Sequence, residues 1–96
     1  MSQYYVYILS HRPYNTFYIG VTNDLVKRIW QHKFSGAKGF TKKYQINRLV
    51  YFETYEDILL AIEQEKRLKK WPRQWKINLI IKNNPLWKDL YMEIIH

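Results

Sequence analysis

The hydrophobic positions of this chain fall into alternating short and long segments. Tyr4-Tyr5-Val6-Tyr7-Ile8-Leu9 and Phe17-Tyr18-Ile19-Gly20-Val21 are apolar runs rich in aromatic and β-branched residues. They are separated by Ser10 to Thr16, a polar stretch holding Pro13 and Asn15. Two strand-forming runs around a turn signal predict an antiparallel hairpin. With a side-chain period of two, Tyr5 and Tyr7 share one face of the first strand, and Tyr18 and Gly20 share one face of the second. Both faces are apolar, so periodicity does not choose which is buried. A glycine inside a strand marks a bulge or a close approach to the backbone.

From Leu25 the period changes to that of a helix. Thr22-Asn23-Asp24 supplies a start signal, and Leu25, Val26, Ile29, Trp30 and Phe34 form one broad stripe. Arg28 and His32, four residues apart, share a side at the edge of that stripe, while Lys27 points to solvent. Residues 35–45 carry Gly36, Gly39, Lys38, Lys42 and Lys43 interleaved with Phe40 and Tyr44. Such a loop either contacts phosphates and bases or is an ordinary solvated connector. Asn47 to Thr54 reads as a buried third strand. Thr54-Tyr55-Glu56-Asp57, with a cap-like threonine, opens a helix running to about Lys70. Pro72 suits the first turn of a further helix, Arg73 to Lys82, with Trp75 and Leu79 on its stripe and Ile77, Ile80 and Ile81 flanking. After Asn83-Asn84-Pro85, a short amphipathic segment from Leu86 to Ile95 packs Trp87, Leu90, Tyr91 and Ile94 onto the body. The order β-β-α-β-α-α-α predicts a small α/β (α+β) fold, a three-stranded sheet covered by helices.

One polar residue interrupts this pattern. Ile58, Ala61, Ile62 and Leu68 define the inward side of the helix from Tyr55 to Lys70, and Glu65 falls within the same arc. A carboxylate there needs a partner. Either Glu65 pairs with Lys69 one turn later, or it faces a cleft and binds a divalent cation through oxygen. Glu56 and Glu63 project elsewhere.

Composition narrows the classes. At 96 residues the chain makes one domain, 1–96, and at 47% hydrophobic it can build a core. The absence of cysteine excludes disulfides and thiolate metal sites. No run reaches membrane-spanning length and no signal-peptide pattern opens the chain, which points to a cytoplasmic protein. Sixteen Lys and Arg against eight Asp and Glu, net +8, suit a polyanionic partner.

Tyr5-Val6-Tyr7, then Tyr18-Ile19-Gly20 after ten residues, then Arg28 with His32, then Glu65, resembles the GIY-YIG nuclease superfamily, closest to its small standalone bacterial members. Tyr5 and Val6 depart from the first signature tripeptide; the second matches in full. Gly36-Ala37-Lys38, Glu65 to Trp71 and Asn84 to Tyr91 extend the likeness over the chain. The resemblance implies a three-stranded antiparallel sheet with flanking helices, and metal-dependent endonucleolytic hydrolysis of DNA phosphodiesters, with structure selectivity in repair or recombination as a further expectation. It matches Tyr7 to a general base, Tyr18 to a positioning tyrosine, Arg28 to the phosphate-binding arginine and Glu65 to the ligand of one Mg²⁺ or Mn²⁺ ion. His32 is a candidate for proton transfer. Gly20, Lys38, Lys42, Lys43 and Lys69 are candidate nucleic-acid contacts, with DNA preferred to RNA and a protein partner as one source of specificity. Two other readings stay open: a non-cleaving nucleic-acid-binding module on the same fold, and a protein-interaction domain using the C-terminal aromatics.

Overall fold

The computed structural model describes residues 3–12, 16–34 and 46–95. Lys38, Lys42 and Lys43 lie outside them. Strands β1 (Tyr4–Ser10), β2 (Phe17–Thr22) and β3 (Arg48–Tyr55) form one antiparallel sheet in the order β2-β1-β3. Helix α1 (Leu25–Phe34) follows β2, and α2 (Ile58–Lys70), α3 (Arg73–Asn83) and the single turn α4 (Tyr91–Ile94) follow β3.

The central position of β1 explains its continuous apolar run. Val6 and Ile8 join Ile19, Val50, Ala61, Leu68, Ile77 and Ile80 in a core beneath α2 and α3. Tyr7 and Leu9 join Leu25, Ile29, Ile46 and Leu49 in a second core beneath α1. A strand covered on both faces has no polar side. Both faces of β1 are therefore buried, which alternation could not show, while the edge strand β2 stays half-buried at Phe17, Tyr18 and Val21.

The pairing of β1 with β3 shifts between Ile8 and Leu9, so Tyr51 opposes Ile8 while Leu49 opposes Leu9. Val50 is the extra residue of this bulge. Its carbonyl accepts a hydrogen bond from Asn84 Nδ2 at 3.1 Å. The same amide group holds Lys88 by two further bonds, to its carbonyl at 2.9 Å and from its N–H at 3.1 Å. Asp89 accepts from the Leu49 and Tyr91 N–H groups and pairs with Lys33. Asn84 and Asp89 thus fasten the C-terminal segment to β3. Between them Trp87 has φ 53°, a left-handed backbone, and is 4% exposed. Its ring stacks on Phe17 at 6.1 Å, and its carbonyl accepts from Arg48 at 2.7 Å. These contacts hold a conformation that a large side chain rarely adopts.

Several boundaries and faces differ from the sequence expectation. Asp57, not Thr54, caps α2, because Thr54 is still paired in the sheet and the Asp57 carboxylate accepts from the Leu59 N–H at 2.8 Å. On α1 only Leu25 and Ile29 are buried; Val26, Trp30 and Phe34 are exposed. On α3 the buried residues are Ile77 and Ile80, and Trp75 is exposed. The last segment is helical only over Tyr91–Ile94.

Candidate active site

The sheet register builds the site's floor. Tyr7 on β1 stands directly opposite Gly20 on β2. A Cβ added to Gly20 would lie 2.5 Å from Tyr7 Oη and 2.6 Å from Cζ. Glycine here is a requirement of space: the phenol lies across the neighbouring strand where any side chain would stand.

Helix α1 supplies the wall. Asp24 caps it, accepting from the Lys27 N–H at 3.1 Å, and Arg28 N–H bonds to the Asp24 carbonyl at 3.0 Å. This anchoring sets the rotation of the helix and brings His32 over the tyrosines. Tyr7 Oη and His32 Nε2 are 3.2 Å apart. The Tyr7 and Tyr18 rings lie 6.3 Å apart, the Tyr7 and His32 rings 6.0 Å, and the Tyr18 and His32 rings 5.3 Å. Three aromatic side chains from three elements therefore meet in one cluster.

The electrostatics are ordered by burial. Tyr7 is fully buried. Burial, then the Tyr18 phenol, push its pKa well above the ordinary tyrosine value; the Arg28 guanidinium, in charge and hydrogen-bonding reach, opposes this without reversing it. The Glu65 carboxylate raises it further. At neutral pH Tyr7 is thus a phenol, not a phenolate. Burial and then the Arg28 charge lower the His32 pKa below 6.5. A neutral imidazole with its proton on Nδ1 accepts the Tyr7 hydrogen at Nε2.

Glu65 reaches this cluster from the other side of the sheet. Ala61 and Leu68, which flank it on α2, are both fully buried in the opposite core. Its side chain is 20% exposed, and Oε2 lies 3.3 Å from Lys69 Nζ. Glu65 is therefore ion-paired and keeps part of its side chain open to solvent. Among the described residues no three His, Asp or Glu side chains gather as a metal cage. One partly open carboxylate suits a hard cation that keeps waters and takes phosphate oxygens from a substrate, and does not suit a closed zinc site.

Arg28 is exposed and lines a polar cavity of about 200 Å³ with Thr22, Asn23, Asp24, Lys27 and Gln31. A larger cavity of about 320 Å³, between Tyr5, Leu25, Phe52 and Ile94, holds none of the cluster residues. Tyr7, Tyr18, Gly20, Arg28 and His32 are brought together; Glu65 acts on Tyr7 through its charge, and its direct partner is Lys69. Sequence reasoning missed the roles of Asn84 and Asp89, whose contacts fasten the C-terminal segment to β3. A polar pair bracketing an apolar tryptophan was the available signal.

Comparison with known proteins bears on the family and the fold. Residues 3–78 match the GIY-YIG catalytic domain. A UPF0213 protein of Syntrophus aciditrophicus is 37% identical over 87 residues, covering 88% of this chain and 97% of that one. A UPF0213 protein of Clostridium perfringens is 38% identical over 76 residues, covering 79% and 81%. The solution NMR structure of a UPF0213 protein from Bacillus halodurans superposes with a TM-score of 0.57 at 25% identity, covering 91% of this chain and 92% of that one. Among the described residues no helix is long and apolar enough to cross a membrane. The signature tripeptide over the glycine gap, the three-stranded antiparallel sheet and these matches lead to one conclusion: the chain belongs to the GIY-YIG nuclease superfamily, with the small bacterial UPF0213 proteins.

Proposed function

We propose that residues 1–96 form one nuclease domain that hydrolyses DNA phosphodiester bonds with one divalent metal ion. The observation that carries this reading is the Tyr7–His32 contact at 3.2 Å, with Arg28 and Glu65 both in electrostatic reach of the same phenol. Arg28 binds the scissile phosphate from the exposed side of α1. Tyr18 orients the phosphate or the attacking water, and Gly20 leaves the room that the Tyr7 ring occupies. His32 accepts the Tyr7 proton as Tyr7 takes a proton from water; the water oxygen bonds to phosphorus and the bond to the leaving sugar oxygen breaks. A Mg²⁺ or Mn²⁺ ion on Glu65 would supply charge stabilisation at the phosphoryl oxygens.

A raised tyrosine pKa makes the unaided phenolate a poor starting state, so the relay to neutral His32 matters. Lys38, Lys42 and Lys43 are assigned phosphate contacts from the sequence alone, and structure selectivity in repair or recombination is part of the same proposal. The Glu65–Lys69 pair favours a second reading, in which the carboxylate is occupied and the domain binds without cleaving.

The test incubates the protein with branched, nicked and single-stranded DNA, with Mg²⁺, with Mn²⁺ and with chelator, beside Glu65→Ala. Metal-dependent cutting lost in the variant supports the nuclease. Binding without cutting in either protein supports the second reading, and no binding at low salt removes both.

A further inference from the structure

The α2–α3 corner carries a feature that the cluster at Tyr7 does not use. Trp71 caps the end of α2 and Trp75 lies in the first turn of α3, with Pro72 between the helices. Proline cannot continue the helix, and the break turns the chain so that the two indoles meet edge to face, centroids 5.7 Å apart at 77°. In that arrangement one ring cannot cover the other's face. Trp75 is 55% exposed, and the pair opens into a mainly apolar groove of about 280 Å³ with Asn78, Leu79 and Lys82.

The charge around this groove is one-sided. From Lys66 to Lys88 the sequence holds eight Lys and Arg and no Asp or Glu, and six of those cations lie between Lys66 and Lys76. Burial and then the neighbouring Arg73 charge lower the Lys76 pKa, as expected where like charges crowd together. An apolar groove for a protein partner has no need of such a field; a flat aromatic group carried on a polyanion matches both parts of it. Position agrees as well. Arg73 lies over the Phe17 ring at 4.9 Å, and Phe17 precedes Tyr18 on the edge strand β2. Arg73, which opens α3, thus sits one residue along β2 from Tyr18.

We propose that the Trp71–Trp75 groove is a stacking site for an unpaired base of single-stranded DNA, whose phosphates lie along the cations of the α2–α3 corner. The site selects substrates with an unpaired segment beside the scissile phosphate; this rests on the nucleic-acid reading above, but the binding needs neither metal nor cleavage. Trp75 is the better probe of the two indoles because it is exposed and its replacement leaves the core intact.

The experiment measures anisotropy of a labelled oligothymidylate in chelator, for the wild type, Trp75→Ala and Trp75→Phe, against an oligomer with an abasic spacer and a blunt duplex. The expected result is a loss of about tenfold in oligothymidylate affinity for Trp75→Ala, with recovery in Trp75→Phe and unchanged thermal melting. The abasic spacer should weaken the wild type and leave Trp75→Ala unaffected, and blunt duplex should bind all three alike. Equal oligothymidylate binding by wild type and Trp75→Ala overturns the proposal. So does a substitution whose one effect is to change sedimentation from dimer to monomer, which would make the groove a contact between copies. An equal loss on an RNA oligomer supports the stacking site and removes its preference for DNA. Metal-dependent cleavage, assayed separately on the same proteins, keeps the fate of the nuclease reading distinct.

Discussion

Tyrosines gather in two places on this sheet, and the neighbours of each group give them different chemistry. Around Glu53 on β3, Tyr55 donates to Oε2 at 2.8 Å and Gln64 donates to Oε1 at 3.2 Å. Burial, then hydrogen bonding to that carboxylate, raise the pKa of Tyr51. Both carboxylate oxygens are taken by donors: Tyr55 bonds within β3, and Gln64 ties β3 to α2. Around Tyr7 the polar neighbours are a neutral imidazole, a guanidinium and a carboxylate from a different face, beside a glycine that leaves space. Burial raises the phenol pKa in both places. A proton acceptor and an exposed cation are found beside Tyr7, while at Tyr51 the partner is an anion already occupied. A shifted pKa therefore does not mark a reactive tyrosine; the identity of its partners does.

The comparison breaks most sharply at Glu65. Replacing it with Gln is expected to lower metal-dependent cleavage by about a thousandfold while DNA binding in chelator persists, measured by gel cleavage and anisotropy. Tyr7→Phe comes next, with an expected loss of about a hundredfold in cleavage rate. In the matching experiment Tyr51→Phe should leave cleavage unchanged and cost about 1 kcal/mol of stability, read from denaturant melting. If both variants cut equally well, the distinction between the two groups fails.

Gly20→Ala sharpens the contrast by packing alone. Its Cβ would overlap a fully buried ring, so a destabilisation of about 1–3 kcal/mol is expected, with partial recovery when Tyr7 is also changed to Leu. The smallest effect is on pH dependence. The folded pKa of His32 lies below its ordinary value, so below pH 6.5 the unfolded chain takes up a proton that the folded chain resists. The His32 contribution to stability is complete above that pH and declines as pH falls towards the folded pKa. Melting temperatures at pH 7.5 and 5.5 should differ less in His32→Phe than in the wild type.

The elements themselves were legible because their signals are local. Aromatic and β-branched runs around a turn specify a hairpin, and Pro72 specifies a break between helices. Glu65 stood out because an acid interrupts an otherwise apolar arc. The faces of α1 and α3 were not legible. Val26, Trp30 and Phe34 follow the helical period as well as Leu25 and Ile29 do, and α3 is apolar on nearly every side. Periodicity gives an angle on a helix, but the crossing of that helix over the sheet decides which part of the angle is covered. The cap of α2 moved from Thr54 to Asp57 for a similar reason: sheet pairing extended β3 and competed successfully with a local start signal.

By itself the sequence determined the number and order of the elements, the excess of positive charge and the residue types from which a phosphodiesterase site can be built. Tertiary structure alone decided that Tyr7 lies across Gly20, that β1 is buried on both faces, and that His32 on α1 comes within hydrogen-bonding distance of a phenol on β1. It also decided that Glu65, from the far side of the sheet, is felt at that same oxygen. Local sequence fixes dihedral preferences and side-chain period. Distances between residues far apart in the chain depend on strand register and helix crossing, and those are set by how two cores close around one central strand.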